Sequence, residues 1–310
     1  MALNIKDTPK RSVKEILLPS GGYPYGNKIP NGRLIIQAFD WETERILFKG
    51  FESSGSKETL RYVEAVKKIG KFPKDFDPIN LLEGDLQYIL LECRSLSYGE
   101  MYSFDSKCPF CEHNESIELR IPLYLPTNRY PSDFKGIVKI TTSQGNDVDI
   151  KFITVAQDID CENLTRNRIA KKLISKDDYD IDYSNSRTAY HIAAVNKGKP
   201  DSLQEVRDWL NSIPISERKE INEFISKIAP GVSYNVQITC EECGKDYERL
   251  LPIGADFFRP RTVHHAEQLP RGVRIGVLGE DELSEFTPSS RETVPDEDSG
   301  RSGKRDNNEQ

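Results

Sequence analysis

Polar and apolar residues alternate with a period of two in two short stretches of the chain, which is the signature of half-buried strands. Ser116-Ile-Glu-Leu-Arg-Ile is one, stopped by Pro122, and Tyr234-Asn-Val-Gln-Ile-Thr is another. Tyr247-Glu-Arg-Leu-Leu ends at Pro252, and Arg33-Leu-Ile-Ile-Gln-Ala-Phe reads as a further strand. Residues 136–142 and 147–154 flank Ser-Gln-Gly-Asn, a hairpin signal. Elsewhere the period lengthens to that of a helix. Asp40 precedes Trp41-Glu-Thr-Glu-Arg-Ile-Leu, with acidic residues where a helix dipole favours them. Residues 58–69 predict a second helix with Leu60, Val63, Val66, Tyr62 and Ile69 inward. Residues 85–94 predict a third, capped by Asp85, with Leu86, Ile89, Leu90 and Cys93 on one face. Later helices are expected in parts of 154–176 and 186–196, and more clearly over 202–211 and 216–228. The last of these has Ile221, Phe224, Ile225 and Ile228 on one face.

The same short motif interrupts two predicted strand pairs, 101–107 with 116–121 and 234–239 with 247–251. Cys108-Pro-Phe-Cys111 stands in the first half of the chain, and Cys240-Glu-Glu-Cys243 stands far from it in the second. Random placement of the six cysteines would produce about 0.1 such pairs. Each pair reads as strand, knuckle, strand, with the thiolates at the tip of a hairpin. Four soft ligands from two tight knuckles suit a tetrahedral Zn²⁺. If the pairs meet, one structural ion joins two remote parts of the chain, as a split zinc ribbon. The stretch between the knuckles, 112–239, is too long for a loop and needs structure of its own.

Other chemistry at these cysteines is less well supported. A redox Cys-Pro-Phe-Cys would open a helix, whereas a strand pattern follows Cys111. Structural disulfides would suit an exported protein, and no signal-peptide pattern stands at the N-terminus. A catalytic zinc would keep an open position, which four thiolates close. His113 could replace a thiolate but reads as a solvated turn residue. Cys93 has helical spacing and reads as buried, and the acidic neighbours of Cys161 disfavour its thiolate. The four histidines, His113, His191, His264 and His265, suggest no catalytic set. Asp177, Asp178, Asp180 and Asp182 could form a loop or a Ca²⁺ site, and the missing EF-hand pattern favours the loop. Tyr23, Tyr25, Phe39 and Trp41 suit either a partner-facing patch or the core, and the core is favoured.

Charge narrows the picture further. The net charge is −7, but residues 280–310 hold ten acidic and four basic side chains, so the remainder carries only −1. That tail has too little apolar content to fold and is expected to be disordered. A nucleic-acid-binding ribbon, the rival reading, needs a basic stripe. Here Glu112, Glu115 and Glu118 face Lys107 and Arg120 at the first knuckle, and Glu241 and Glu242 face Lys245 at the second. No apolar run approaches a membrane span, so a soluble protein is expected. GxxxxGK[ST] is absent, so the glycines around Tyr23 do not announce a phosphate site.

One order of motifs points to a family. Leu18-Pro-Ser-Gly-Gly-Tyr-Pro-Tyr is followed by a strand, by the Trp41 helix and by Asn80-Leu-Leu-Glu-Gly-Asp-Leu-Gln-Tyr-Ile-Leu-Leu. Arg94-Ser-Leu-Ser-Tyr-Gly-Glu-Met-Tyr, Cys-Pro-Phe-Cys and Leu251-Pro-Ile-Gly-Ala-Asp-Phe-Phe-Arg-Pro complete it. This order resembles the T4-like baseplate hub assembly proteins of contractile-tailed bacteriophages. The resemblance covers residues 17–124 and 232–260, and Gln37-Ala-Phe-Asp and the acidic tail depart from it. It implies a non-enzymatic subunit or assembly factor whose partners are other tail and baseplate hub proteins. Its location would be the virion tail, or the host cytoplasm during assembly.

The expected architecture is therefore α+β. A mobile arm over 1–16 leads into a core of 17–124 plus 232–279 that carries the split ribbon. An α+β subdomain over 125–231 is inserted, and the tail over 280–310 follows. Zn²⁺ is expected on Cys108, Cys111, Cys240 and Cys243, with no catalytic residues and no nucleic-acid partner.

Overall fold

The computed structural model describes residues 11–49, 55–253 and 255–258. The chain divides into two compact units, Met1–Ile275 and Gly276–Gln310, and every described residue belongs to the first. The acidic tail and His264-His265 lie outside the described residues.

The described chain opens with β1 (Val13–Leu17) paired antiparallel to β2 (Arg33–Gln37). Val13–Ile16 thus belong to a strand rather than to the expected mobile arm, with Ile16 buried. Helix α1 (Trp41–Phe48) begins where Asp40 accepts the Thr43 N–H at 2.8 Å, satisfying one orphan donor of the first turn. Trp41, at the first position of that helix, is 73% exposed, which corrects its expected place in the core; Tyr25 is buried, and Tyr23 and Phe39 pack against the core edge. Helix α2 (Ser56–Ile69) buries Val63, Val66 and Ile69, but Leu60 faces outward.

Helix α3 (Glu83–Tyr98) is the spine of the unit, and most of its residues are buried. Asp85 does not cap it. The helix starts two residues earlier, and the fully buried Asp85 carboxylate accepts the Ser20 N–H at 3.0 Å and the Tyr25 hydroxyl at 2.6 Å. Those donors lie in the glycine-rich turn, which is how that turn is fastened to the helix. At the other end, buried Arg94 donates to the carbonyls of Gly99, Met101 and Phe257, tying α3 to the strand and helix that follow. Strands β3 (Met101–Lys107) and β4 (Asn114–Arg120) form the first hairpin.

The stretch between the hairpins starts with β5 (Thr127–Asn128), then β6 (Val138–Thr141) and β7 (Asp147–Ile150). Helix α4 (Val155–Ala170) follows a capping box in which Thr154 and Gln157 satisfy each other's backbone N–H groups. Helix α5 (Tyr179–His191) and β8 (Ile192–Val195) come next, then α6 (Leu203–Ser212) and α7 (Ile215–Ile228). Two expectations change here. The helix expected over 186–196 begins at Tyr179 and yields at Ile192 to a strand that pairs with β7, because the β-branched residues Ile192 and Val195 complete a three-stranded sheet. Asp180 and Asp182 are helical rather than loop residues. Buried Asp182 accepts from Arg207 at 2.6 Å and from Thr165 at 3.0 Å and ion-pairs with Arg168, so it is a structural anion.

Val148, Ile150, Ala189, Ile192, Val206, Leu210, Ile221 and Ile225 form a second hydrophobic core drawn only from this stretch. Its two ends meet as well, since β5 pairs with β9 (Gly231–Val232). The chain then enters β10 (Asn235–Thr239) and β11 (Asp246–Leu250), the second hairpin, and reaches α8 (Ala255–Phe258). Among the described residues no helix is long and apolar enough to cross a membrane.

Candidate metal centre

Alternation positions both hairpins. On β3 and β4 the residues Tyr102, Phe104, Ile117 and Leu119 point into the main core, and Val236, Ile238 and Tyr247 do so from β10 and β11. With those faces buried, the register of each hairpin is fixed, because a one-residue slip would expose every core side chain. The tips are then placed against each other.

The two tips share one geometry. Cys108 N–H donates to His113 O at 2.9 Å, as Cys240 N–H does to Lys245 O at 3.0 Å. Glu112 N–H donates to Cys108 O at 3.0 Å, as Gly244 N–H does to Cys240 O at 2.9 Å. The residue after each second cysteine takes a positive φ, 60° at Glu112 and 67° at Gly244. Glycine adopts that region without steric cost, and Glu112 does not.

The expected ligands come together. Cys108 Sγ lies 3.8 Å from Cys243 Sγ, and Cys111 Sγ lies 3.5 Å from Cys240 Sγ. All four sulfurs lie within 4.8 Å of one another. A tetrahedron with bonds of about 2.3 Å has edges of about 3.8 Å, so these separations fit one ion with four thiolates. None of the four is in a disulfide. Burial works against the Cys108 thiolate, but the N–H groups of Phe110 and Cys111 bring its pKa down to about 7. The Phe110 N–H contact is 3.4 Å. His113 supplies a carbonyl to the turn and no donor to the cluster.

Four further contacts join the hairpins, and the sequence pattern carries no sign of them. The Tyr247 hydroxyl donates to Glu115 Oε1 and contacts Ser106 Oγ, both at 2.9 Å, while Glu115 Oε2 accepts the Glu241 N–H at 3.2 Å. Glu115 is therefore a buried internal acceptor, not part of an acidic surface. On the outside the Lys245 ammonium sits 4.9 Å from the Phe110 ring centroid, a cation–π contact across the tips. The remaining cysteines are apart from the cluster and inert in character. Burial raises the Cys93 thiol well above its usual pKa, and burial together with Asp158 holds Cys161 at about 12.

These features define an α+β protein in which four thiols from two remote hairpins meet. A family model described as T4 bacteriophage base plate protein matches residues 22–259. The chain belongs to that family, which makes it a structural component of a phage tail baseplate with other tail proteins as its partners. No curated protein and no solved structure matches the chain.

Proposed function

We propose that this chain is a hub subunit or hub assembly factor of a contractile-tail baseplate, and that it acts by protein contacts around a structural Zn²⁺. Cys108, Cys111, Cys240 and Cys243 hold the ion. The observation that carries this reading is the meeting of four sulfurs from two hairpins remote in sequence, within a chain of the baseplate family. Four thiolates fill the tetrahedral shell, so the ion supplies folding energy rather than a Lewis-acid position. It also closes a long excursion at its base, where the loop-closure entropy removed is large.

The body comprises 13–124 with the described residues from 232 onward, and 125–231 is an inserted subdomain. Support for that division is the second core, built only from residues inside the stretch. Exposed Glu112, Glu241 and Glu242 at the tips argue against a phosphate-bearing partner.

Quantitative mass spectrometry of hub-containing tail intermediates and of purified virions tests the role. The chain should be enriched in hub intermediates, and its presence or loss in virions separates a subunit from an assembly factor. Normal infectious tails formed without the gene would overturn both.

A further inference from the structure

Helices α2, α3, α4 and α5 line a half-open cavity of about 660 Å³, away from the cysteine cluster, with α8 along one side. That volume lies within the range of ligand sites. Its floor is apolar, made by Leu86, Leu90, Leu91 and Phe257, all buried. Its walls carry five carboxylates, Glu58, Glu83, Asp158, Glu162 and Asp180, against two guanidinium groups, Arg166 and Arg187. The formal balance is −3.

Internal pairing leaves that excess in place. Arg187 is shared by Glu83 and Asp158, and Arg166 pairs with Glu162. Glu58 accepts the Tyr62 phenol, which carries no charge, and Asp180 lies exposed. Burial, with the like charge of Asp158 opposing the help of Arg187, holds Glu83 up at about 7. A cation entering the cavity would relieve this repulsion. A long cationic side chain suits both surfaces, since its aliphatic stem can lie on leucine while its head reaches a carboxylate.

We propose that this cavity docks an extended segment of a neighbouring baseplate protein, which inserts an arginine or lysine flanked by apolar residues. The class of occupant rests on the baseplate reading above. Binding is measured on the isolated full chain, so a failed titration leaves the virion assignment intact, and a failed virion assignment leaves the titration intact.

The probe is a capped Leu-Arg-Leu peptide, with capped Leu-Glu-Leu as its charge-reversed control. Methyl NMR of Leu86, Leu90 and Val155 reads occupancy. Leu-Arg-Leu should give saturable shifts, weakened about tenfold in a Glu58→Gln, Asp180→Asn variant, and Leu-Glu-Leu should give none. Equal responses to the two peptides, or no saturable shift, overturn the proposal. Shifts that appear only after Arg259→Ser and Arg261→Ser also overturn it, because the occupant is then this chain's own basic segment.

Discussion

Tyr247 and Glu115 occupy the same position in the two hairpins, each four residues past its second cysteine, and they hydrogen-bond to each other at 2.9 Å. The contact thus lies where the two hairpins meet, four residues along from the cysteine cluster. Burial raises the Tyr247 phenol above its usual pKa, so it is a donor at neutral pH. Tyr247→Phe leaves a buried carboxylate oxygen and the Ser106 hydroxyl short of a partner, at a cost of about 1–3 kcal/mol. A double-mutant cycle with Glu115→Gln, read by urea unfolding of the metal-loaded protein, should give a coupling of about 1 kcal/mol. Additive single effects would mean that the pair does not link the hairpins.

The proposed Zn²⁺ would be the stronger link between the hairpins. Purified protein should carry one Zn²⁺ per chain by elemental analysis. Cys108→Ser and Cys240→Ser each remove a ligand from a different hairpin and should both lose the ion and the native fold around it. Structural zinc contributes about 10–16 kcal/mol of apparent binding energy in small metal-folded peptides, as large as a typical domain's whole net stability of about 5–15 kcal/mol. Cys93→Ser, outside the cluster, should retain the ion. A folded wild-type chain without bound zinc would remove the clasp.

What the sequence made legible was local. Each CxxC, the alternation around it and the start of α1 after Asp40 depend on neighbours within a few residues, and the structure keeps them. The illegible parts depend on remote partners. Val13–Leu17 becomes a strand only because β2 returns beside it, and Ile192–Val195 only because β7 offers an edge. Asp85 has the composition of a cap, but donors from Ser20 and Tyr25, far upstream in the chain, claim it. Glu115 counted as surface charge until Tyr247, from the other hairpin, placed it inside.

A close backbone approach yields another expectation. A Cβ on Gly84 would stand 1.8 Å from the Pro230 carbonyl oxygen and 2.9 Å from Gly231 Cα. Both are backbone atoms that no rotamer change can move. Gly84 therefore lets α3 seat the end of the excursion directly before the second hairpin. In an open helix Gly→Ala would stabilise by about 1 kcal/mol. Here Gly84→Ala should instead destabilise by about 3 kcal/mol, measured as a lower urea midpoint with unchanged slope. A neutral or stabilising result would mean that α3 and β9 separate easily.

His191 gives the second core a pH dependence. Its Nδ1 lies 2.8 Å from the Lys151 carbonyl oxygen, so the neutral ring donates through Nδ1–H. Burial, and behind it the Arg187 and Lys151 charges, pull its pKa to about 4 from the usual 6.5, despite the help of that hydrogen bond. The folded state therefore binds fewer protons than the unfolded state between these values. Its contribution is complete above pH 6.5 and is lost as pH falls towards 4, by about 3 kcal/mol in all. His191→Asn can keep a donor near Lys151 without the titration. Unfolding free energy followed from pH 7 to pH 4 should decline less steeply in that variant. Parallel pH profiles for the two proteins would show that His191 is not held neutral by the core.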